Sequence, residues 1–137
     1  MPNILIGATG SIATVKIPLI VNILKQLRNW ADIMVIAPLD ANTLGKIANG
    51  LCDNLLTCVL RAWNVTKPVV ACPAMNTSMW THPFTIRHLD VLTTILKFQI
   101  IQPISKKLAC GDIGMGAMAE PQFIVDYTLN IINKQNV

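Results

Sequence analysis

Four loops in this chain carry residue types and spacings that could do chemistry. The most distinctive is Pro73-Ala-Met-Asn-Thr-Ser-Met-Trp80. Asn76, in a turn after an apolar run, presents an amide that can both donate and accept hydrogen bonds. Met79 and Trp80 either line the apolar side of a cleft or serve as plain core. The second, Ala109-Cys-Gly-Asp-Ile-Gly-Met-Gly-Ala-Met-Ala-Glu-Pro121, holds three glycines between Gly111 and Gly116. Glycines so dense read as irregular chain that could fold over a ligand as a mobile flap. Cys110 at its base is either inert packing or a proton donor, because a thiol titrates near ~8.5 before perturbation. The third, Gly7-Ala-Thr-Gly-Ser11, offers glycines for close backbone approach, two hydroxyls and a helix N-terminus that favours an anion. It is neither GxGxxG nor a P-loop, and an ordinary N-capped strand–helix turn explains it equally. Asp40-Ala-Asn-Thr43 has the same two readings, capping turn or polar edge of a site.

The elements that must position these loops follow one grammar: apolar strand, small polar loop, helix. Residues 3–7 lead through Ala8-Thr-Gly-Ser11 into an apolar helix from near Ile12. Residues 32–37 lead through Pro38–Thr43 into a helix over Leu44–Asn49, with Gly50 as its stop. Residues 68–72 lead through Pro73–Asn76 into another helical stretch. Apolar strands without alternation are buried on both faces, the mark of a parallel sheet sandwiched by helices. A helix over Asn54–Trp63 is expected, with Asp53 as N-cap and Leu55, Cys58, Val59 and Ala62 on one face. A fourth strand is expected at Phe98–Ile101. A closing amphipathic helix begins at Pro121 and turns Phe123, Ile124, Tyr127 and Ile131 inward. In such a sheet, ligands sit at the carboxyl ends of the strands, where these loops converge.

Composition bounds the rest. The chain has 137 residues, 53% hydrophobic and only 13% charged. That length suits one domain, residues 1–137, without linker or repeat. So little charge leaves apolar surface that subunit contacts would hide. No apolar run approaches the ~18–20 residues that span a bilayer, and the N-terminus lacks a secretory signal. A cytoplasmic location and no membrane partner are expected. Cys52, Cys58, Cys72 and Cys110 have no CxxC spacing and no paired histidines, which argues against zinc; a reducing compartment argues against disulfides. A net charge of +4 with scattered Lys and Arg gives no nucleic-acid footprint and suits a small anionic ligand.

Taken in order, these loops resemble the signatures of the flavin-containing cysteine decarboxylases. Those signatures stand here as Pro38-Leu-Asp-Ala-Asn-Thr43, Pro73-Ala-Met-Asn-Thr-Ser-Met-Trp80 and Ala109–Glu120. Leu44-Gly-Lys-Ile-Ala48, Leu51-Cys-Asp-Asn-Leu-Leu-Thr-Cys58, Arg61-Ala-Trp63 and Ala109-Cys-Gly-Asp112 are similar to the eukaryotic branch that acts on 4′-phosphopantothenoylcysteine. The resemblance implies a Rossmann-like/flavodoxin-like three-layer α/β sandwich, FMN as cofactor, and a homotrimer with flavin near subunit boundaries. It implies oxidation of the substrate's cysteinyl thiol to a thioaldehyde, loss of carbon dioxide, and return of hydride and a proton, giving 4′-phosphopantetheine for coenzyme A. By the same resemblance, Thr9, Gly10, Ser11, Asp40, Ala41, Asn42, Thr43 and Ala74 are flavin contacts. Asn76 holds the substrate carboxylate, Cys110 donates the proton, and Lys107, Ala109 and Met118 are substrate-clamp positions. No metal is implied.

One departure stands out. The family has some tens of further residues, forming another strand and helix and ending in an acid/base histidine, before the run matching Leu27-Arg-Asn-Trp-Ala-Asp32. Here Asn22-Ile-Leu-Lys-Gln26 runs straight into Leu27, and the chain's histidines, His82 and His88, both follow the Met-Asn turn. The sheet is therefore expected to be shortened by an internal deletion. A catalytically impaired member, acting as a regulatory subunit of phosphatase-inhibitor type or within a mixed trimer, is the alternative implied.

Overall fold

A computed structural model of the chain describes residues 3–7, 30–107 and 113–135. Strands β1 (Ile4–Gly7), β2 (Ile33–Leu39), β3 (Val69–Pro73) and β4 (Gln99–Ile100) form a parallel sheet in the order β1-β2-β3-β4. Between β2 and β3 lie helices α1 (Ala41–Ala48) and α2 (Leu55–Arg61). Between β3 and β4 lie α3 (Thr77–Trp80), α4 (Pro83–Asp90) and a π-helical stretch, Val91–Ile95. A hairpin of β5 (Ile104–Lys107) and β6 (Ile113–Ala117) follows, and α5 (Pro121–Gln135) closes the described fold.

The run of apolar residues in β2 is explained by two cores. Met34 and Ile36 face Leu44 and Ile47 of α1, Val59 of α2, Trp63 and Leu92. Ile33 and Val35 face the other way, against Val70, Cys72, Ile101 and, from α5, Ile124 and Ile132. Each strand residue thus meets a helix on one face or the other, giving a three-layer α/β sandwich of the flavodoxin-like class. In a flavodoxin-like sheet the first strand is internal, with the second outside it. An order without reversal is what would remain if that outer strand were absent.

Several local expectations are corrected. The helix expected over Leu44–Asn49 begins earlier, at Ala41, because Asp40 caps it: its carboxylate accepts from the Thr43 amide at 2.8 Å. Asn54, not Asp53, caps α2; its side chain accepts from Thr57 N at 2.9 Å, and the Thr57 hydroxyl accepts from Asn54 N at 3.2 Å. Asp53 instead lies one step earlier and pairs with Lys46 at 2.8 Å. Ala62 is exposed, and Thr57, which the apolar pattern omits, is buried. On α5, Phe123 is 56% exposed, because Ile124, Thr128 and Ile132 make the inward stripe. Residues 113–117, expected as irregular chain, are a strand paired antiparallel with β5.

Cys72 lies fully buried in β3, and burial pushes its thiol up to about 11. The unfolded chain releases this proton in the ordinary thiol range near ~8.5, whereas the folded chain keeps it. Its contribution is therefore fully present below that range and is lost as pH climbs towards about 11. Urea midpoints across that window should fall more steeply for the natural chain than for Cys72→Ala; parallel curves would contradict this.

Candidate functional site

The carboxyl ends of β2 and β3 are joined beyond their last residues. Leu39 pairs with Pro73, and the Ala74 amide donates to the Leu39 carbonyl at 2.9 Å. This contact sets the Asp40–Thr43 loop beside the Ala74–Asn76 turn. One residue further, the Met75 amide donates to the Gly116 carbonyl at 2.9 Å, so β6 is hydrogen-bonded to the same turn. Gly7 ends β1 next to Ile36, on the same rim. Three segments distant in sequence therefore meet at one edge of the sheet.

The hairpin can approach this closely because two of its positions lack side chains. Gly116 has φ +131°, and a Cβ there would collide with the Met75 carbonyl oxygen. A Cβ on Gly114 would collide with the Thr77 hydroxyl. Gly116 serves close approach of backbone to backbone and Gly114 close approach to the Thr77 side chain, a use glycine has in strands.

The polar groups at the rim divide into structural and available ones. The Asp40 carboxylate is occupied in capping α1, and Thr43 is buried. The first-turn N–H groups of Ala41 and Asn42 have no partner within the helix, and Asn42 is exposed. A helix N-terminus with an exposed amide side chain suits an anionic group or the polar edge of a planar ring. Asn76 caps α3 with its side-chain oxygen, which accepts from Met79 N at 2.8 Å. Its exposed amide keeps the NH2 as donor, the half that an acceptor-only carboxylate requires. The Thr85 hydroxyl donates to the Met79 carbonyl at 2.6 Å and fixes this short helix to α4. Met79 is 49% exposed and Trp80 half-buried, so Met79 is not core.

Of the residues singled out from sequence, Asp40, Ala41, Asn42, Thr43, Ala74 and Asn76 come together here. Met118 follows β6, half-buried against the α5-side core. Lys107 ends β5 opposite Ile113. Thr9, Gly10, Ser11, Ala109 and Cys110 lie outside the described residues. His82 caps α4, its Nδ1 accepting from Phe84 N at 3.3 Å, and stacks on Phe84. His88 also stacks on Phe84 and lies 3.4 Å from the Asn49 amide. Sequence reasoning missed Gly114, Gly116 and Thr77 as fitting surfaces; the glycine spacing was their only signal. Among the described residues no cluster of His, Cys, Asp and Glu could hold a metal.

A cavity of about 150 Å³ lies elsewhere, between Leu60, Arg61, Trp63, Val69, Leu96 and Phe98. It borders the starting ends of β3 and β4, opposite the rim described above. It is also smaller than the ~300–1,000 Å³ of ordinary ligand pockets.

Comparison with known proteins agrees with this layout. The chain is 59% identical over 110 residues to a phosphopantothenoylcysteine decarboxylase of Oryza sativa subsp. japonica, covering 80% of this chain and 49% of that protein. A PPC decarboxylase structure, a cysteine-to-serine mutant complexed with pantothenoylaminoethenethiol, superposes with TM-score 0.79 at 58% identity, covering 81% of this chain and 60% of that one. The FMN binding protein AtHal3 superposes with TM-score 0.74 at 58% identity, covering 82% and 60%. The chain spans about half the length of the curated relatives it matches. Residues 24–133, most of the chain, match the model of the Flavoprotein family, and on that match, together with the rim and sheet just described, this chain belongs to that family.

Proposed function

We propose that this chain is one flavoprotein domain carrying the active rim of an FMN-dependent phosphopantothenoylcysteine decarboxylase. The reaction is carbon–carbon lysis of 4′-phosphopantothenoylcysteine to 4′-phosphopantetheine. The observation that carries this is the pair of backbone bonds, Ala74 to Leu39 and Met75 to Gly116, that brings both strand-end loops and the glycine strand to one rim. The identity to relatives of that name supports it.

FMN would be held by Thr9, Gly10 and Ser11, by the loop Asp40, Ala41, Asn42 and Thr43, and by Ala74. When bound it supplies two-electron exchange with the thiol-bearing carbon of the substrate. The protein's own work is positioning and proton transfer. Asn76 donates from its NH2 to the substrate carboxylate and orients the bond to be broken, while its oxygen stays committed to Met79 N. The hairpin is seated on Met75 and Thr77, and Lys107, Ala109 and Met118 would contact the substrate and exclude water. Cys110 gives a proton to the carbon left by carbon dioxide. The PPC decarboxylase mutant that lacks a cysteine is complexed with an ethenethiol, the class of unsaturated thiol that a missing proton donor would leave.

The working unit we propose is a cytoplasmic homotrimer, without nucleic-acid or membrane partner. Leu51, Val65, Phe84, Ile86, Ile95 and Phe123 are exposed, which supports burial between subunits. Among the described residues no helix is long and apolar enough to cross a membrane.

A specific observation favours a second reading. Neither histidine stands before Leu27, and His82 and His88 are engaged in capping and stacking on α4. A chain that binds FMN without turning over would serve as a regulatory or mixed-trimer subunit. The deciding experiment measures carbon dioxide released from phosphopantothenoylcysteine by the FMN-loaded protein. Sustained release is expected; FMN binding without release would replace the enzymatic reading with the second.

A further inference from the structure

Away from the rim, Cys52 and Cys58 form a pair of thiols that the proposed reaction does not use. Cys52 lies in the connection from α1 to α2, and Cys58 lies one turn into α2. The Cys58 thiol donates to the Cys52 carbonyl at 3.2 Å. Cys52 is exposed and Cys58 half-buried. Their juxtaposition is built on both sides. Asp53 between them is gripped by the Lys46 ammonium through both carboxylate oxygens, at 2.9 and 2.8 Å. The reciprocal Asn54–Thr57 cap, with Thr57 buried, fixes the turn that presents Cys58.

We propose that Cys52 and Cys58 are a reversible dithiol–disulfide couple, oxidised by a low-molecular-weight disulfide. The Cys52 thiolate attacks one sulfur of the oxidant. A mixed disulfide forms, and the other half leaves as a thiolate that takes up a proton. The Cys58 thiol then loses its proton, attacks the Cys52 sulfur and expels the second small thiolate. One small disulfide is reduced to two thiols while the protein loses two hydrogens, and an excess of small thiol reverses both steps.

The order follows from the surroundings. Cys52 meets the oxidant first because it is exposed. Desolvation, the Cys52 thiol and the Asp53 carboxylate all push the Cys58 thiol upward, which makes Cys58 the slower first nucleophile and suits it to the resolving role. The bond to the Cys52 carbonyl keeps it within reach. Closing the couple would exchange that hydrogen bond for a covalent tie across residues 52–58. Under reducing conditions the pair stays open. Cys72, fully buried, cannot take part.

Trypsin makes the test direct, because no Lys or Arg lies between Ile47 and Arg61, so both cysteines fall in one peptide without Cys72 or Cys110. The full chain is incubated with glutathione disulfide over a range of glutathione, quenched in acid, alkylated and digested. Peptide 47–61 is expected to lose two hydrogens, escape alkylation, and revert with dithiothreitol. Cys58→Ser should stop at a glutathione adduct on Cys52. Cys52→Ser, at an exposed position, should abolish the cross-link with far-UV circular dichroism unchanged. Two alkyl groups at every ratio, or stable glutathione adducts on the natural peptide, would overturn the proposal. The readout involves neither flavin nor decarboxylation, so it stands or falls separately from the proposed function.

Discussion

The Cys110→Ser protein is expected to keep its FMN and to lose sustained turnover of phosphopantothenoylcysteine by roughly 10²–10⁴-fold, the usual contribution of a positioned proton donor. A serine hydroxyl is nearly the size of the thiol, so the hairpin and its seat on Met75 should persist. It is a far weaker acid, so the carbon left by carbon dioxide would not be protonated. Carbon dioxide release should stop after no more than one equivalent per bound flavin, with an unsaturated thiol retained in the site. Stopped assays that quantify both products check this. Unchanged steady-state release would return Cys110 to the inert packing that a single cysteine can equally represent.

Gly116→Val should produce the largest structural effect of any change at the rim. The residue sits at φ +131°, where a β-branched side chain is strained, and its Cβ would meet the Met75 carbonyl oxygen. Overpacking costs ~1–3 kcal/mol and the backbone strain a similar ~1–3 kcal/mol. That sum approaches the smaller values of total domain stability, ~5–15 kcal/mol. The cheaper response is to unseat the hairpin and keep the sheet. Hydrogen exchange should therefore show the Met75 amide losing protection while Met34, Val35 and Val70 keep theirs. Turnover should fall with it. An equally protected Met75 amide would mean that β6 is not held at this turn.

The sheet was legible because its physics is local. Ile33–Ile36 and Val69–Cys72 are apolar at every position, and burial on both faces is the arrangement that such a run satisfies. The rim was legible only as a set of loops. That Leu39 bonds Ala74, and Met75 bonds Gly116, depends on a parallel register and a hairpin joining residues far apart in sequence. Capping was read one residue out at Asp53 because an aspartate and an asparagine are adjacent; the reciprocal partner, Thr57, decides in favour of Asn54. Phe123 was placed inward by periodicity, yet a helix packed on one layer buries a narrow stripe, here Ile124, Thr128 and Ile132. The three glycines from Gly111 to Gly116 suggested mobility. Two of them instead let β6 lie flush against Met75 and Thr77, a steric need visible only once both surfaces are present. The neighbourhood of Cys52 and Cys58 was equally hidden, since it arises from how α2 is capped rather than from their spacing.

The rim's capacity to cradle a phosphorylated isoalloxazine is tested most directly by titrating free FMN with the purified chain and following flavin fluorescence and visible absorbance. The expected result is a saturable change reaching one flavin per chain, weakened when Asn42 is replaced by a bulky acidic residue, Asn42→Glu, which sets a negative charge at the start of α1. Flavin signals that stay those of free FMN at every protein concentration, with the chain folded by circular dichroism, would contradict it.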